Sequence, residues 1–204
     1  MPKQTFFNLP HEKRVIVEQA ALDEFAEYGF DSSNLNRIVE RSKIAKGSFY
    51  QYFEDKKDLY FHLIDTIVKK KVEALEPLLD AYEQNTFSYN FKETFRIGLE
   101  FADSQPKLYM LGEDFANKQP PFIKEFVEKY HPLAMDFYHK LLEHANGAGE
   151  LREGLNIPLV AKFINALVNE TTISLIAHGA PNEQRDSVID ELIGFIERSI
   201  LGNQ

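Results

Sequence analysis

The sequence contains no cysteine, which excludes disulfides, thiolate metal sites and cysteine nucleophiles. Tryptophan is also missing, yet aromatic residues are plentiful, with 17 Phe and 9 Tyr among 204 residues. Glycine and proline number only 10 and 9, so long stretches can keep a helical period without interruption. There is no Gly-rich phosphate loop and no nucleophile elbow, and the carboxylate pairs fall in charge-rich helices where a solvated face accounts for them. No catalytic residue, cofactor or metal is assigned, and the chain is not expected to be an enzyme. The N-terminal MPKQTFFNLPHEKR lacks the apolar core of a signal peptide, and no apolar run reaches the length of a membrane span. A cytoplasmic protein that stays off membranes is the expectation.

What is present points to an all-α globular chain. Hydrophobic residues make up 44%, too many for a disordered segment. The net charge of −9 argues against a nucleic-acid partner until its distribution is considered. Between Ser33 and Lys57 lie six basic residues (Arg37, Arg41, Lys43, Lys46, Lys56, Lys57) and three acidic ones (Glu40, Glu54, Asp55). That segment carries +3 and the remainder −12. A basic island on an acidic body suits local contact with phosphates.

Periodicity and caps divide the chain. A first helix starts near Asn8, with Pro10 in its first turn and Val17, Ala21, Phe25 and Tyr28 as its buried stripe. Gly29 is placed to end it, with Phe30 folding back. Short helices follow over 34–42, capped by Ser33 or Asn34, and over 46–52. Asp55 caps a long fourth helix in which Pro77 should cause a kink or a stop. Further helices are expected over 89–103, 105–115 and 121–145. Two more, over 157–178 and 182–201, are apolar on more than one face. One apolar stripe serves a surface helix, so two imply burial on two sides. The core supplies one side, and a partner subunit is the plausible second.

Residues 33–53 read as helix, short turn, helix. In the second helix Phe49 and Phe53 share a face and point to the core. Lys46, Ser48, Tyr50, Gln51 and Tyr52 point outward, and Gly47 lets the backbone approach a neighbour closely. Such a face could reach base edges and phosphates in a major groove. Spacing alone favours an ordinary helical hairpin with some exposed tyrosines.

The wider pattern favours the first reading. Ala20-Ala21-Leu22, Phe25, Gly29-Phe30, Ile38, Ile44, Lys46-Gly47-Ser48-Phe49-Tyr50, Tyr52-Phe53, Lys56 and Leu59 stand in register over residues 14–60. This region resembles the DNA-binding region of the TetR family, and the block GSFYQYFEDKKDL is its most specific part. The resemblance implies a helix-turn-helix domain over 1–54 and a regulatory domain over 55–204. It implies a DNA-binding transcriptional repressor that acts as a homodimer on a palindromic double-stranded operator and answers to a small-molecule effector. It implies that Tyr50, Tyr52 and Lys56 contact the DNA backbone. Ser33, Asn34, Asn36 and Arg37 add phosphate or base contacts, while Lys46, Gly47, Ser48 and Gln51 face the groove. Two positions depart from the family pattern: Lys43 stands where glycine is common in the turn, and Ala45 where Ser or Thr is common before the recognition helix.

The body is read more coarsely. Phe95, Phe101, Tyr109, Phe115, Phe122, Phe126 and Phe137, with Asn165 and Asn169, are candidates for the wall of an effector pocket, although such aromatics can equally be plain core. Leu167, Leu175, Leu192, Phe195 and Ile196 are candidates for the dimer interface. His139 and Glu143 share a helix face that could suggest a metal, but a solvated surface accounts for them. An enzyme and a helical interaction module are the competing classes.

Overall fold

The computed structural model describes residues 2–118, 123–177 and 182–202. They form α1 (Gln4–Phe7), α2 (His11–Ser32), α3 (Leu35–Arg41), α4 (Lys46–Tyr52), α5 (Lys56–Ala81), α6 (Phe87–Ser104), α7 (Pro106–Lys118), α8 (Ile123–Gly147), α9 (Ile157–Ala177) and α10 (Asn182–Ile200). Tyr82–Gln84 adds one 3-10 turn. The described residues contain no strand, only an isolated bridge between Leu151 and Leu201. None of their helices is long and apolar enough to cross a membrane. The fold is all-α, as the periodicity indicates.

The main differences from the sequence reading lie at the N-terminus. Asn8 does not open the first long helix; it closes the one-turn α1, and Pro10 is the N-cap of α2. Gly29 takes a left-handed φ of 69°, which interrupts the helical backbone, and Phe30–Ser32 resume it. Phe30 folds back as expected, stacking on Phe25 and meeting Tyr60 edge-on. Tyr28 is not in the buried stripe: it is 37% exposed, with the Arg37 guanidinium 4.2 Å above its ring. α5 runs through Pro77 without stopping. Proline has no N–H to give the Glu73 carbonyl one turn earlier, so the helical ladder loses a rung there.

The chain forms two compact units. Met1–Glu73 and Phe101–Pro120 make the first; Ala74–Glu100 and Pro121–Gln204 make the second. Of the three divisions, one therefore falls inside α5, beside the missing Pro77 bond, and one inside α6; the third lies between residues 120 and 121. The first unit is centred on Phe6, Phe25, Phe49, Phe53, Leu59 and Tyr60, all fully buried. The core of the second unites Phe87, Phe91, Leu142, Ala161, Ile164 and Ile193 from four helices.

The loop before α9 ties the second unit together. Glu150 accepts a hydrogen bond from the backbone N–H of Phe87 at 2.9 Å, at the exposed start of α6. Arg152 donates to the carbonyls of Arg198 (2.6 Å) and Leu201 (2.9 Å), where α10 ends. Helix termini leave such groups without intrahelical partners, so these two side chains satisfy one end each of two helices.

Candidate nucleic-acid interface

The helix-turn-helix is fixed from beneath by apolar packing and from the side by one buried carboxylate. Ile38 of α3 and Phe49 of α4 are fully buried. Glu24 of α2, with no exposed surface, accepts from the Arg37 Nε (2.8 and 3.0 Å) and from the backbone N–H of Asn34 (2.8 Å). Arg41 also lies 3.6 Å from it. Burial pushes the Glu24 pKa up, but hydrogen bonds from Arg37 and Asn34 and the charges of Arg37 and Arg41 outweigh it and leave the pKa below the usual glutamate value. Asn34 caps α3, accepting from the Asn36 N–H at 2.8 Å, which decides between the two expected caps.

The turn explains both departures from the family pattern. Lys43 sits at φ 55°, the left-handed region where glycine is unstrained. Ala45 occupies the N-cap of α4 with no side-chain hydrogen bond. A recognition helix of 7 residues therefore begins without a side-chain cap.

Its other end is held by the chain's N-terminus, a feature the sequence reading missed. The Lys3 N–H donates to the Tyr52 carbonyl (2.8 Å), and the Lys3 ammonium donates to the Tyr50 carbonyl (2.9 Å). The Thr5 hydroxyl donates to the Gln51 carbonyl. Three orphan carbonyls of the last turn are thus satisfied. Phe6, fully buried, packs on Phe53 (4.8 Å between ring centres) and Tyr52 (6.2 Å). A four-residue turn has no periodicity, so only the polar–aromatic string of Lys3 to Phe7 could have hinted at it.

The outward face of α4 is the one expected. Lys46, Gly47, Tyr50 and Gln51 are exposed; Ser48 and Tyr52 are half-buried. A Cβ placed on Gly47 would meet nothing within 4 Å, so no packing inside the chain demands glycine there. Asn34 and Asn36 are exposed on the neighbouring helix start. The other named residues are committed within the fold. Ser33 is buried and its hydroxyl donates to the Phe30 carbonyl (2.6 Å). Arg37 is held by Glu24. Half-buried Lys56 donates to the carbonyls of Phe30 (2.6 Å) and Ser33 (3.1 Å), and its ammonium lies 4.6 Å from the Phe30 ring centre. Desolvation lowers its pKa, against the opposing charges of Asp31 and Glu24.

The body residues separate clearly. Phe101 is buried and Tyr109 half-buried in the first unit. In the second, Phe95 belongs to the core, Phe137 packs against it, and Asn165 has an intramolecular interaction. A cavity of about 30 Å³, lined by Leu78, Leu79, Tyr82, Asn90, Phe137, Lys140 and Leu141, includes only Phe137 of the expected set. Phe122, and the side chains of Phe115, Phe126, Asn169 and Leu175, lie outside the described residues. Leu167 and Phe195 are exposed, at 38% and 55%. Leu192 is half-buried against the core, and Ile196, 2% exposed, belongs to the core itself. His139 and Glu143 lie 3.5 Å apart on an exposed face, and among the described residues no third ligand joins them.

Comparison with known proteins agrees with this geometry. Residues 19–63 match the family described as "Bacterial regulatory proteins, tetR family". The crystal structure of a TetR family transcriptional regulator from Chloroflexus aurantiacus superimposes with a TM-score of 0.74 at 30% identity, covering 100% of both chains. An HTH-type transcriptional regulator of Staphylococcus aureus is 30% identical over 65% of this chain and 68% of its own length. The transcriptional regulator FadR of Bacillus subtilis, solved in complex with stearoyl-CoA, shares the fold at 17% identity, with a TM-score of 0.71 over 89% of this chain and 96% of its own. The chain belongs to the TetR family: it is a DNA-binding, helix-turn-helix regulator of transcription.

Proposed function

We propose that the protein is a repressor that holds a palindromic operator as a symmetric homodimer and leaves it when a small, largely apolar effector binds. The observation that carries the reading is the outward face of α4, anchored beneath by Phe49 and left open at Gly47. Lys46, Ser48 and Gln51 face base edges, while Tyr50, Tyr52 and Lys56 lie against the DNA backbone. In functional terms residues 1–54 are the reading head and 55–204 the regulatory body, with α5, the first helix of the body, as the link between them. The protein works beside the chromosome, in the cytoplasm.

Support for the homodimer comes from α9. Leu159, Phe163 and Leu167, spaced by four, are exposed along one face, while Ala161 and Ile164 on another are buried. Phe195 of α10 is exposed as well. An apolar stripe on a helix whose other side is already packed suits an isologous contact with a second copy. A dimer docks both recognition helices only when their separation matches the groove repeat, about 34–36 Å. A ligand that prefers one separation shifts the population towards it, by no more than its differential affinity. The stearoyl-CoA held by the Bacillus subtilis relative makes long acyl chains the first effectors to try.

A mobility-shift and footprinting experiment on the DNA upstream of the protein's own gene tests this reading. The expected result is a dyad-symmetric footprint from a dimer, relieved by effector. Operator DNA must weaken effector binding by the same factor that effector weakens DNA binding. Failure to protect any upstream DNA under low-salt conditions contradicts it.

A further inference from the structure

Residues 2–8 fasten the far end of the recognition helix. α4 has only 7 residues, and its Phe49 carbonyl is taken by the Phe53 N–H. The next three carbonyls, of Tyr50, Gln51 and Tyr52, find no donor further along the helix. Two residues of the N-terminal segment take all three: Lys3 through its N–H and its ammonium, and Thr5 through its hydroxyl. The segment has its own anchors. Pro2 is buried, and the fully buried Phe6 ring lies 4.8 Å from that of Phe53 and 5.2 Å from that of His62 on α5. His62 is fixed in turn, with its Nε2 2.7 Å from the Glu18 Oε1 of α2. A strap therefore runs from α2 and α5 to the last turn of α4.

The three residues whose carbonyls the strap holds are three of those on the outward face. A helix of two turns is not stable by itself, and this one begins without a side-chain cap. Phe49 and Phe53 hold it from beneath, on one face only. Lys3 and Thr5 are themselves exposed, so their bonds add little to the burial that holds the first unit together. What they fix is the course of the last turn, and with it the direction in which Tyr50, Gln51 and Tyr52 leave the backbone. A surface ordered in advance does not have to be ordered on binding, and the affinity gains accordingly.

We propose that Lys3 and Thr5 are positioning residues for DNA recognition: they act through the α4 backbone and set sequence-specific affinity without touching the DNA. The proposal rests on the reading that α4 enters the major groove. It separates specific from non-specific binding. Phosphates attract a basic surface whichever way its side chains point, whereas base edges are met only when the helix is aimed at them.

The test uses the full-length double variant Lys3→Met/Thr5→Val, which removes two of the three bonds. In hydrogen exchange the amides of Gln51, Tyr52 and Phe53 should exchange about tenfold faster than in the wild type, while that of Ile38 in α3 changes by less than about twofold. In mobility-shift titrations the footprinted upstream site should bind about tenfold more weakly, and a scrambled duplex of the same length by less than about twofold. The slope of log affinity against log salt should not change, because no phosphate contact is lost. Lys3→Arg/Thr5→Ser keeps both donors and should restore wild-type values. Thr5→Val alone leaves the charge untouched and should show the same pattern at about threefold; it decides the matter if the double variant does not fold. A slope that falls by about one unit, with both duplexes weakened alike, makes Lys3 a phosphate contact and overturns the proposal. Unchanged specific affinity, or unchanged exchange in α4, overturns it as well. A wild type that protects no upstream DNA fails the groove reading itself; where the wild type does bind, only the strap is at stake.

Discussion

The outward faces of α4 and α9 are both left uncovered by the units that carry them, and their chemistry is opposite. On α4 the uncovered groups are a lysine, an amide, a phenol and bare backbone at Gly47; on α9 they are Leu159, Phe163 and Leu167. Beneath, the two helices are alike, for Phe49 under α4 and Ala161 under α9 are both fully buried. Neither face is therefore loose or half-packed, and each is a finished surface. The polar one suits a hydrated groove lined with donors and acceptors, and the apolar one suits another protein surface. What lies under a helix decides whether its exposed face can be read as an interface at all.

The sharpest way to break the comparison is to place the same charge on the two kinds of apolar position in the second unit. Ile196→Asp buries an unpaired carboxylate at a site 2% exposed, which costs several kcal/mol and should abolish folding, as circular dichroism will show. Phe163→Asp, at a site 59% exposed, should leave the helical signal intact and raise the dimer dissociation constant about a hundredfold, roughly 3 kcal/mol, in a sedimentation experiment. A folded Ile196→Asp, or an unfolded Phe163→Asp monomer, would reverse the roles assigned to these two residues.

A smaller effect separates the scaffold of the reading head from its reading face. Glu24→Gln keeps the shape but removes the charge that Arg37 and Arg41 answer, and should destabilise the protein by about 1–3 kcal/mol at pH 7. The folded pKa of Glu24 lies below its ordinary value of 4.5, so the stabilisation is fully present above about pH 5 and is lost as pH falls through the folded pKa. Urea titrations at pH 7 and about pH 3.5 should show the difference between wild type and Glu24→Gln shrinking at the lower pH. A difference that stays constant would mean that the carboxylate charge is not what holds α3.

Smaller still is the start of α4. Ala45→Ser supplies the missing cap and should stabilise the protein by about 1 kcal/mol. Lys43→Gly relieves the left-handed backbone but frees the unfolded chain, so the two effects, each about 1 kcal/mol, should nearly cancel. Thermal melts resolve both. If Ala45→Ser brings no gain, the start of α4 is already satisfied in another way.

How much of this was legible in the sequence depends on how far apart the partners lie. The long α2 was readable because Val17, Ala21 and Phe25 repeat at helical spacing within one element. The two apolar sides of α9 were readable in the same way, although which side faces outward was not. Pairings across the chain left no local signal. Lys56 is expected to contact the DNA backbone, yet its ammonium also donates to carbonyls 26 and 23 residues earlier. Lys3 reaches across 47 residues to α4, and Lys71 meets rings 30 and 38 residues away. Ser33 looked like an exposed cap residue and is buried. The residue types suit a DNA-binding face, but their other obligations only appear in three dimensions.

Gly47 offers the most direct test that α4 meets DNA. An added methyl has open space around it in the protein, so Gly47→Ala should fold as well as the wild type or gain about 0.5–1 kcal/mol from better helix propensity. If the backbone there approaches DNA closely, the same methyl must weaken binding, by about tenfold or more in a mobility-shift titration on the footprinted upstream site. A Gly47→Ala protein that melts no lower than wild type and binds that site with unchanged affinity would contradict the placement of this face in the groove.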